Sequence, residues 1–125
     1  MYNTITLAQN YIRFKNSYNF KERLIENNRI KIKHPDKIPI ICEKILGQNI
    51  PDIDKHKYLV PPEMTIGNFM CVIRKRIQVE KYDALFLFVE NSIPSNSSTI
   101  GDIYYKYKDP DGFLYICYSK ENTFG

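Results

Sequence analysis

The sequence predicts an α+β domain, on three observations. Ile66, Phe69, Met70, Ile73 and Ile77 fall at helical spacing and make a single apolar stripe. Ala84-Leu-Phe-Leu-Phe-Val89 is a continuous apolar run too short for a helix, and it reads as a fully buried central strand. A turn signal, Asp109-Pro-Asp-Gly112, separates a short helical pattern from a last strand over Phe113–Tyr118.

The remaining elements follow in order. The first ~18 residues are polar and mixed, with one weak helical pattern around Ala8–Lys15. Asn19 can cap a second helix, in which Phe20 and Leu24 share a face, and His34-Pro35-Asp36 ends it near Lys33. Its outer face carries Lys21, Arg23, Arg29, Lys31 and Lys33. Lys37–Lys44 reads as a strand with Ile38, Ile40 and Cys42 on one face, and Gly47–Asp54 as a loop. Lys57–Pro61 is a second short strand. Its closing proline suits a sheet edge, because proline donates nothing to a ladder. Thr65 can cap the helix over Ile66–Ile77, and Arg74-Lys75-Arg76 sit in its last turns, where cations suit the dipole. Ser92–Ser98 is a loop. Thr99-Ile-Gly-Asp102 resembles a capping box opening a short helix, with Ile100, Ile103, Tyr104 and Tyr107 on one side.

Helices, two strands, a helix, a strand, a short helix and a strand make the layout of a β-grasp (ubiquitin-like) core of four strands, with two additional N-terminal helices. Pattern alone also allows another α+β sandwich. The expected organisation is a single domain over 1–125: a helical extension over 1–36, the core over 37–119 and a tail over 120–125.

At 125 residues the chain is long enough to bury about two-thirds of its unfolded surface. No run approaches the ~20 apolar residues needed to span a bilayer, and the N-terminus lacks a secretory pattern, so a cytoplasmic protein is expected. Cys42, Cys71 and Cys117 each sit in an apolar pattern, far apart, and read as small core residues in a reducing compartment. With His34 and His56 also distant, no metal site and no cofactor are expected. No acid–base pair, nucleophile triad or phosphate loop is visible, which argues against an enzyme.

Charge is uneven: residues 1–81 hold 15 Lys/Arg against 8 Asp/Glu, and the remainder 3 against 6. A basic half suits acidic partners. It also leaves open a small nucleic-acid-binding domain, although the ten tyrosines form no recognisable stacking motif. Gly125 stands last, after Phe124. Without a side chain, a glycine can enter a narrow cleft, as a chain whose terminal carboxylate is the reacting group requires. Alternatively, it is a fraying end.

Five segments in collinear order resemble a known family. They are His34-Pro-Asp-Lys-Ile-Pro-Ile-Ile-Cys-Glu-Lys44, Asp54-Lys-His-Lys-Tyr-Leu-Val-Pro61, Thr65-Ile-Gly-Asn-Phe69, Ile73-Arg-Lys-Arg-Ile77 and Asp111-Gly-Phe-Leu-Tyr-Ile116. Together with the glycine, they look like the autophagy ubiquitin-like modifiers of the GABARAP and microtubule-associated light-chain type, from about Phe14 to Gly125.

The resemblance implies a tag rather than a catalyst. Activating and conjugating enzymes would pass the Gly125 carboxyl, with Phe124 recognised beside it, to the amine of phosphatidylethanolamine, and a deconjugating cysteine protease would release it. It implies a cytoplasmic pool and an autophagosomal membrane, or a plastid-like organelle membrane in a parasite. It also implies receptor and adaptor peptides carrying aromatic-x-x-aliphatic motifs, and no nucleic acid. The aromatic pocket would be lined by Glu26, Ile30, Pro39, Lys57, Leu59 and Phe113. Tyr58, Val60, Pro61, Met64, Phe69, Val72 and Arg76 would line the aliphatic one. Lys37, Lys55, Lys57 and Arg76 would attract an acidic flank. Helical spacing alone assigns Phe69 to the core, and Phe113 reads equally as a core residue.

Conjugation to a protein lysine is the sister alternative, although ubiquitin ends in Gly-Gly rather than Phe124-Gly125. Three departures from the family pattern stand out. Residues from Met1 to about Tyr11 precede it, Val72 replaces a larger side chain, and Lys37 stands where several relatives have arginine. Relatives usually carry residues beyond the glycine, so either no processing precedes activation or this is the mature form.

Overall fold

The computed structural model describes residues 13–46, 49–80 and 82–120. Its elements are α1 (Arg13–Ser17), α2 (Phe20–Lys33), β1 (Ile38–Lys44), β2 (Lys57–Val60), α3 (Ile66–Ile77), β3 (Phe86–Phe88), α4 (Ile100–Tyr107) and β4 (Leu114–Ser119). The expected conjugation residues Phe124 and Gly125, and the start of the first expected helix, lie outside the described residues.

Local chemistry sets the helix ends. Asn19 and Glu22 form a reciprocal capping box at the start of α2, as Thr65 and Asn68 do for α3. The Thr99 hydroxyl accepts the Asp102 N–H at the start of α4. The N–H of His34 closes α2 on the Ile30 carbonyl at 2.8 Å, just before Pro35. Asp109–Gly112 is the expected turn: the Gly112 N–H donates to the Asp109 carbonyl at 2.9 Å, and Gly112 adopts φ +94°.

The strands form one sheet in the order β2-β1-β4-β3. β1 runs antiparallel to β2 and parallel to β4, and β3 pairs antiparallel with β4. That is the expected β-grasp arrangement. Each strand sends alternate side chains to opposite faces. On one face Ile40, Cys42, Leu114 and Ile116 pack against Phe69 and Ile73 of α3 and Ile100 of α4. On the other, Ile41 and Phe113 pack against Ile30 of α2 and Phe14 of α1.

A polar clip fastens the N-terminal helices to the core. The buried Asp111 carboxylate accepts the Phe113 N–H at 2.8 Å and the Tyr115 hydroxyl, and pairs with Arg23 of α2 at 3.3 Å. Asp109 pairs with Lys15 of α1.

Two expectations need correction. The apolar run at 84–89 is not a central strand: β3 is three residues long and lies at the sheet edge, while β4 is central. Its residues are nevertheless apolar on both faces because Leu87 joins the main core while Phe88 packs with Ile45 and Cys117 on the other side. Cys71 is exposed, because it lies off the apolar stripe of α3, whereas Cys42 and Cys117 are buried. Burial pushes the Cys117 thiol up to about 12, with the Glu43 carboxylate adding to the shift.

Candidate functional site

β2 is the edge strand opposite β3, and its register decides what it offers outward. Pro39 stands opposite Leu59, and Ile40 opposite Tyr58. The Cys42 N–H donates to the His56 carbonyl at 2.8 Å. Hydrogen-bonded pairs alternate along an antiparallel ladder, so Tyr58 and Val60 bond to β1, while the backbone groups of Lys57 and Leu59 face away from it. Pro39, which has no N–H, sits at a non-bonded position of the β1–β2 ladder and costs that ladder nothing. An extended segment laid along β2 would find two donors and two acceptors.

Side chains of β2 also alternate, with Lys57 and Leu59 exposed and Tyr58 and Val60 buried. On the α2 side a cavity of about 300 Å³ is lined by Glu26, Ile30, Pro39, Lys57 and Leu59, with Arg29, Lys55 and Tyr58 also at its walls. Phe113, only 1% exposed, belongs to the same lining and forms its floor. All six residues expected at an aromatic pocket are thus brought together.

On the α3 side Tyr58 and Phe69 stack edge to face with ring centroids 5.5 Å apart. Phe69 is fully buried and belongs to the main core, against which Met64 and Val72 pack half-buried. Pro61 is half-buried, Val60 is buried, and Arg76 is exposed. Of the seven residues expected here, Phe69, Tyr58 and Val60 are core members rather than open walls. Pro61, Met64, Val72 and Arg76 keep accessible surface.

The cations are arranged around Tyr58 and Glu26. Lys55 lies 5.3 Å and Arg76 5.8 Å from the centre of the Tyr58 ring, and Arg76 also bonds Asp54 at 3.2 Å. Burial pushes the Tyr58 phenol up to about 12, and its hydroxyl is buried without a hydrogen-bond partner among the described residues. Arg29 hydrogen-bonds Glu26, with Lys57 3.6 Å away, and the Arg29 bond is the main cause holding the Glu26 carboxyl below its ordinary range. Lys37 is half-buried just before β1 and is absent from the cavity lining.

Sequence reasoning missed the neighbouring residues that α1 contributes. A second cavity, about 280 Å³, is lined by Arg13, Phe14, Tyr18, Glu43, His56 and Lys57. A third, about 300 Å³, runs between α1 and α2 past Tyr18, Ile25 and Lys57. Lys57 borders all three. No strand or helix period signals these contacts, because they depend on where α1 docks.

This geometry defines a ubiquitin-like protein with helices added on the second face of its sheet. The family model described as "Autophagy protein Atg8 ubiquitin like" matches residues 22–125. The chain is 51% identical over 112 residues to "Autophagy-related protein 8" of Mycosarcoma maydis, covering 90% of this chain and 95% of that one. It is 47% identical over 112 residues to "Autophagy-related protein 8h" of Arabidopsis thaliana, covering 90% and 94%. The solved "Crystal Structure of Trypanosoma brucei ATG8" superposes with a TM-score of 0.83 at 44% identity, covering 90% of this chain and 97% of that one. The chain belongs to the Atg8 family of ubiquitin-like autophagy proteins.

Proposed function

We propose that this protein is a membrane-conjugated modifier that recruits short peptides along β2. The observation that carries the reading is the outward-facing backbone of Lys57 and Leu59, set between a cavity on one face of the sheet and a cation-flanked apolar surface on the other. In an added strand, residues three apart point to opposite faces and stand about 10 Å apart. An aromatic side chain would enter the cavity above Phe113, and an aliphatic one would rest near Val60, Met64 and Val72. Lys55, Lys57, Lys37 and Arg76 would draw the acidic flank of such a peptide. The partners are motif-bearing receptors and adaptors.

In the same reading Gly125 is the reacting terminus and Phe124 its recognition residue. The Gly125 carboxylate attacks the α-phosphorus of ATP and releases pyrophosphate. An enzyme thiolate then displaces AMP to give a thioester. The amine of phosphatidylethanolamine displaces that thiolate, leaving an amide. A deconjugating cysteine protease hydrolyses the amide later. The lipid's two acyl chains would give stable attachment, where a single chain gives only marginal binding. No helix among the described residues is long and apolar enough to cross a membrane. Attachment is to the autophagosomal membrane, from a cytoplasmic pool.

An NMR titration with a synthetic Trp-x-x-Leu peptide bearing three upstream aspartates tests the peptide half. We expect the largest amide shifts at Lys57, Leu59 and Ile30, and weaker binding by Leu59→Ala. Shifts confined to β3 and its loops would overturn the assignment.

A further inference from the structure

The groove along β2 continues past the aromatic pocket. Lys57 borders both the cavity over Phe113, about 300 Å³, and the cavity of about 280 Å³ walled by Phe14, Tyr18 and His56. The two are close in size, so a ring that fits the first also fits the second.

The walls of the second cavity suit an apolar guest. The rings of Phe14 and Tyr18 stand 5.1 Å apart, and Tyr18 is 48% exposed, so its ring keeps an uncovered face. The charged groups there are already matched. Arg13 pairs with Asp52 at 2.8 Å and lies 3.5 Å from Glu43, whose carboxylate also accepts the N–H groups of Arg13 and Phe14. Lys57 lies 3.6 Å from Glu26 and 5.5 Å from the centre of the Phe14 ring. The Nδ1 of His56 meets the Cys42 carbonyl oxygen at 2.9 Å. A carboxylate entering here would lose water and find no unmatched cation among the described residues that line the cavity. An aromatic side chain would meet two rings and the Lys57 ammonium.

Alternation along an added strand says which peptide residue arrives there. With its aromatic anchor over Phe113 and its aliphatic one near Val60, the peptide runs in the direction of β2, and the residues ahead of the anchor extend past Lys57 toward His56. The residue two ahead shares the anchor's face and stands about 7 Å from it. Those one and three ahead point to the other face, toward the Tyr58 ring, where Lys55 and Arg76 stand.

We propose that the cavity walled by Phe14 and Tyr18 takes an aromatic side chain two residues ahead of the peptide's aromatic anchor. The preferred partner then carries aromatic-x-aromatic-x-x-aliphatic, with acidic residues at the alternate positions. This rests on the peptide-groove reading above.

The test measures, by calorimetry on the full chain, the affinities of three synthetic peptides: Phe-Asp-Trp-Ala-Ala-Leu and its relatives with Ser or Asp in the first place. The inference expects the Phe peptide to bind about 5- to 10-fold tighter than the Ser peptide, and the Asp peptide no tighter than the Ser one. The Phe advantage should fall to about twofold or less in Tyr18→Ala and persist in Tyr18→Phe, which keeps the ring. Nuclear Overhauser contacts should join the leading Phe to the Phe14 and Tyr18 rings. Equal affinities of the Phe and Ser peptides would overturn the inference and leave the groove reading standing. Tightest binding by the Asp peptide, or an advantage untouched by Tyr18→Ala, would also overturn it. Failure of all three peptides to bind would overturn the groove reading and this inference with it.

Discussion

Glu43 accepts the backbone N–H groups of Arg13 at 2.8 Å and of Phe14 at 3.0 Å, fastening α1 to β1. The carboxylate is almost fully buried, and the Arg13 guanidinium lies 3.5 Å away. Charge-assisted bonds of this kind contribute about 1.5–3 kcal/mol each when intact. α1 in turn presents Phe14 to Phe113, with ring centroids 5.3 Å apart, so this one carboxylate positions a wall of two cavities. We expect Glu43→Ala to lower unfolding free energy by about 2 kcal/mol, less than the sum of its bonds because α1 can undock into water. Nuclear Overhauser contacts between Phe14 and Phe113 should vanish in the variant; their persistence would show that α1 is held otherwise.

A methyl group at Gly112 would collide with the Asn27 carboxamide. An ideal Cβ there lies 2.2 Å from Asn27 Oδ1, and the backbone stands at φ +94°. Gly112→Ala should therefore cost about 2–4 kcal/mol, combining the clash with a backbone conformation that suits glycine. Chemical denaturation of Gly112→Ala, Asn27→Ala and the double variant separates the two parts. The double variant should recover some of the loss but not all of it.

Lys55 and Arg76 should act mainly on encounter rate. Both are exposed and lie beside the Tyr58 ring. Replacing both with glutamate is expected to slow association of an acidic peptide by about tenfold at low ionic strength. Stopped-flow traces should converge as salt rises, since the Debye length shrinks to about 3 Å near 1 M. A salt-independent deficit would point to lost contacts rather than lost steering.

Glu26 gives a pH signature. Its carboxyl is held below the ordinary value, chiefly by the Arg29 hydrogen bond and further by Lys57. A lowered acid contributes stability that is fully present above its unfolded pKa of about 4.5 and is lost as pH falls through the folded value. Carbon-detected NMR titration should therefore find Glu26 titrating below the ordinary glutamate range. Arg29→Ala should move it upward. No movement would separate the pair.

Much of this architecture could be read from the chain itself because its signals were local. Asn19 and Thr65 cap where they should, the stripe from Ile66 to Ile77 is a buried helix face, and Pro61 does follow an edge strand. The misreadings came where meaning is tertiary. The run at 84–89 looks central because it is apolar throughout, yet β3 is an edge strand whose two faces are covered by different parts of the fold. Arg13, Tyr18 and His56 carry no periodic signal toward the cavity they line, since docking of α1 brings the first two there against His56, which lies just before β2. Phe69 follows the core reading alone, whereas Phe113 satisfies both: it is buried and still floors a cavity.

The claim that this protein is a conjugated modifier is tested most directly by reconstitution. The chain is mixed with the activating and conjugating enzymes of an Atg8 system, ATP and vesicles containing phosphatidylethanolamine. Membrane-bound product is then followed by flotation and mass spectrometry. The account predicts an amide between Gly125 and the lipid amine, and none when Gly125 is deleted. Equal product from the deletion variant, or a linkage at any other residue, would contradict it.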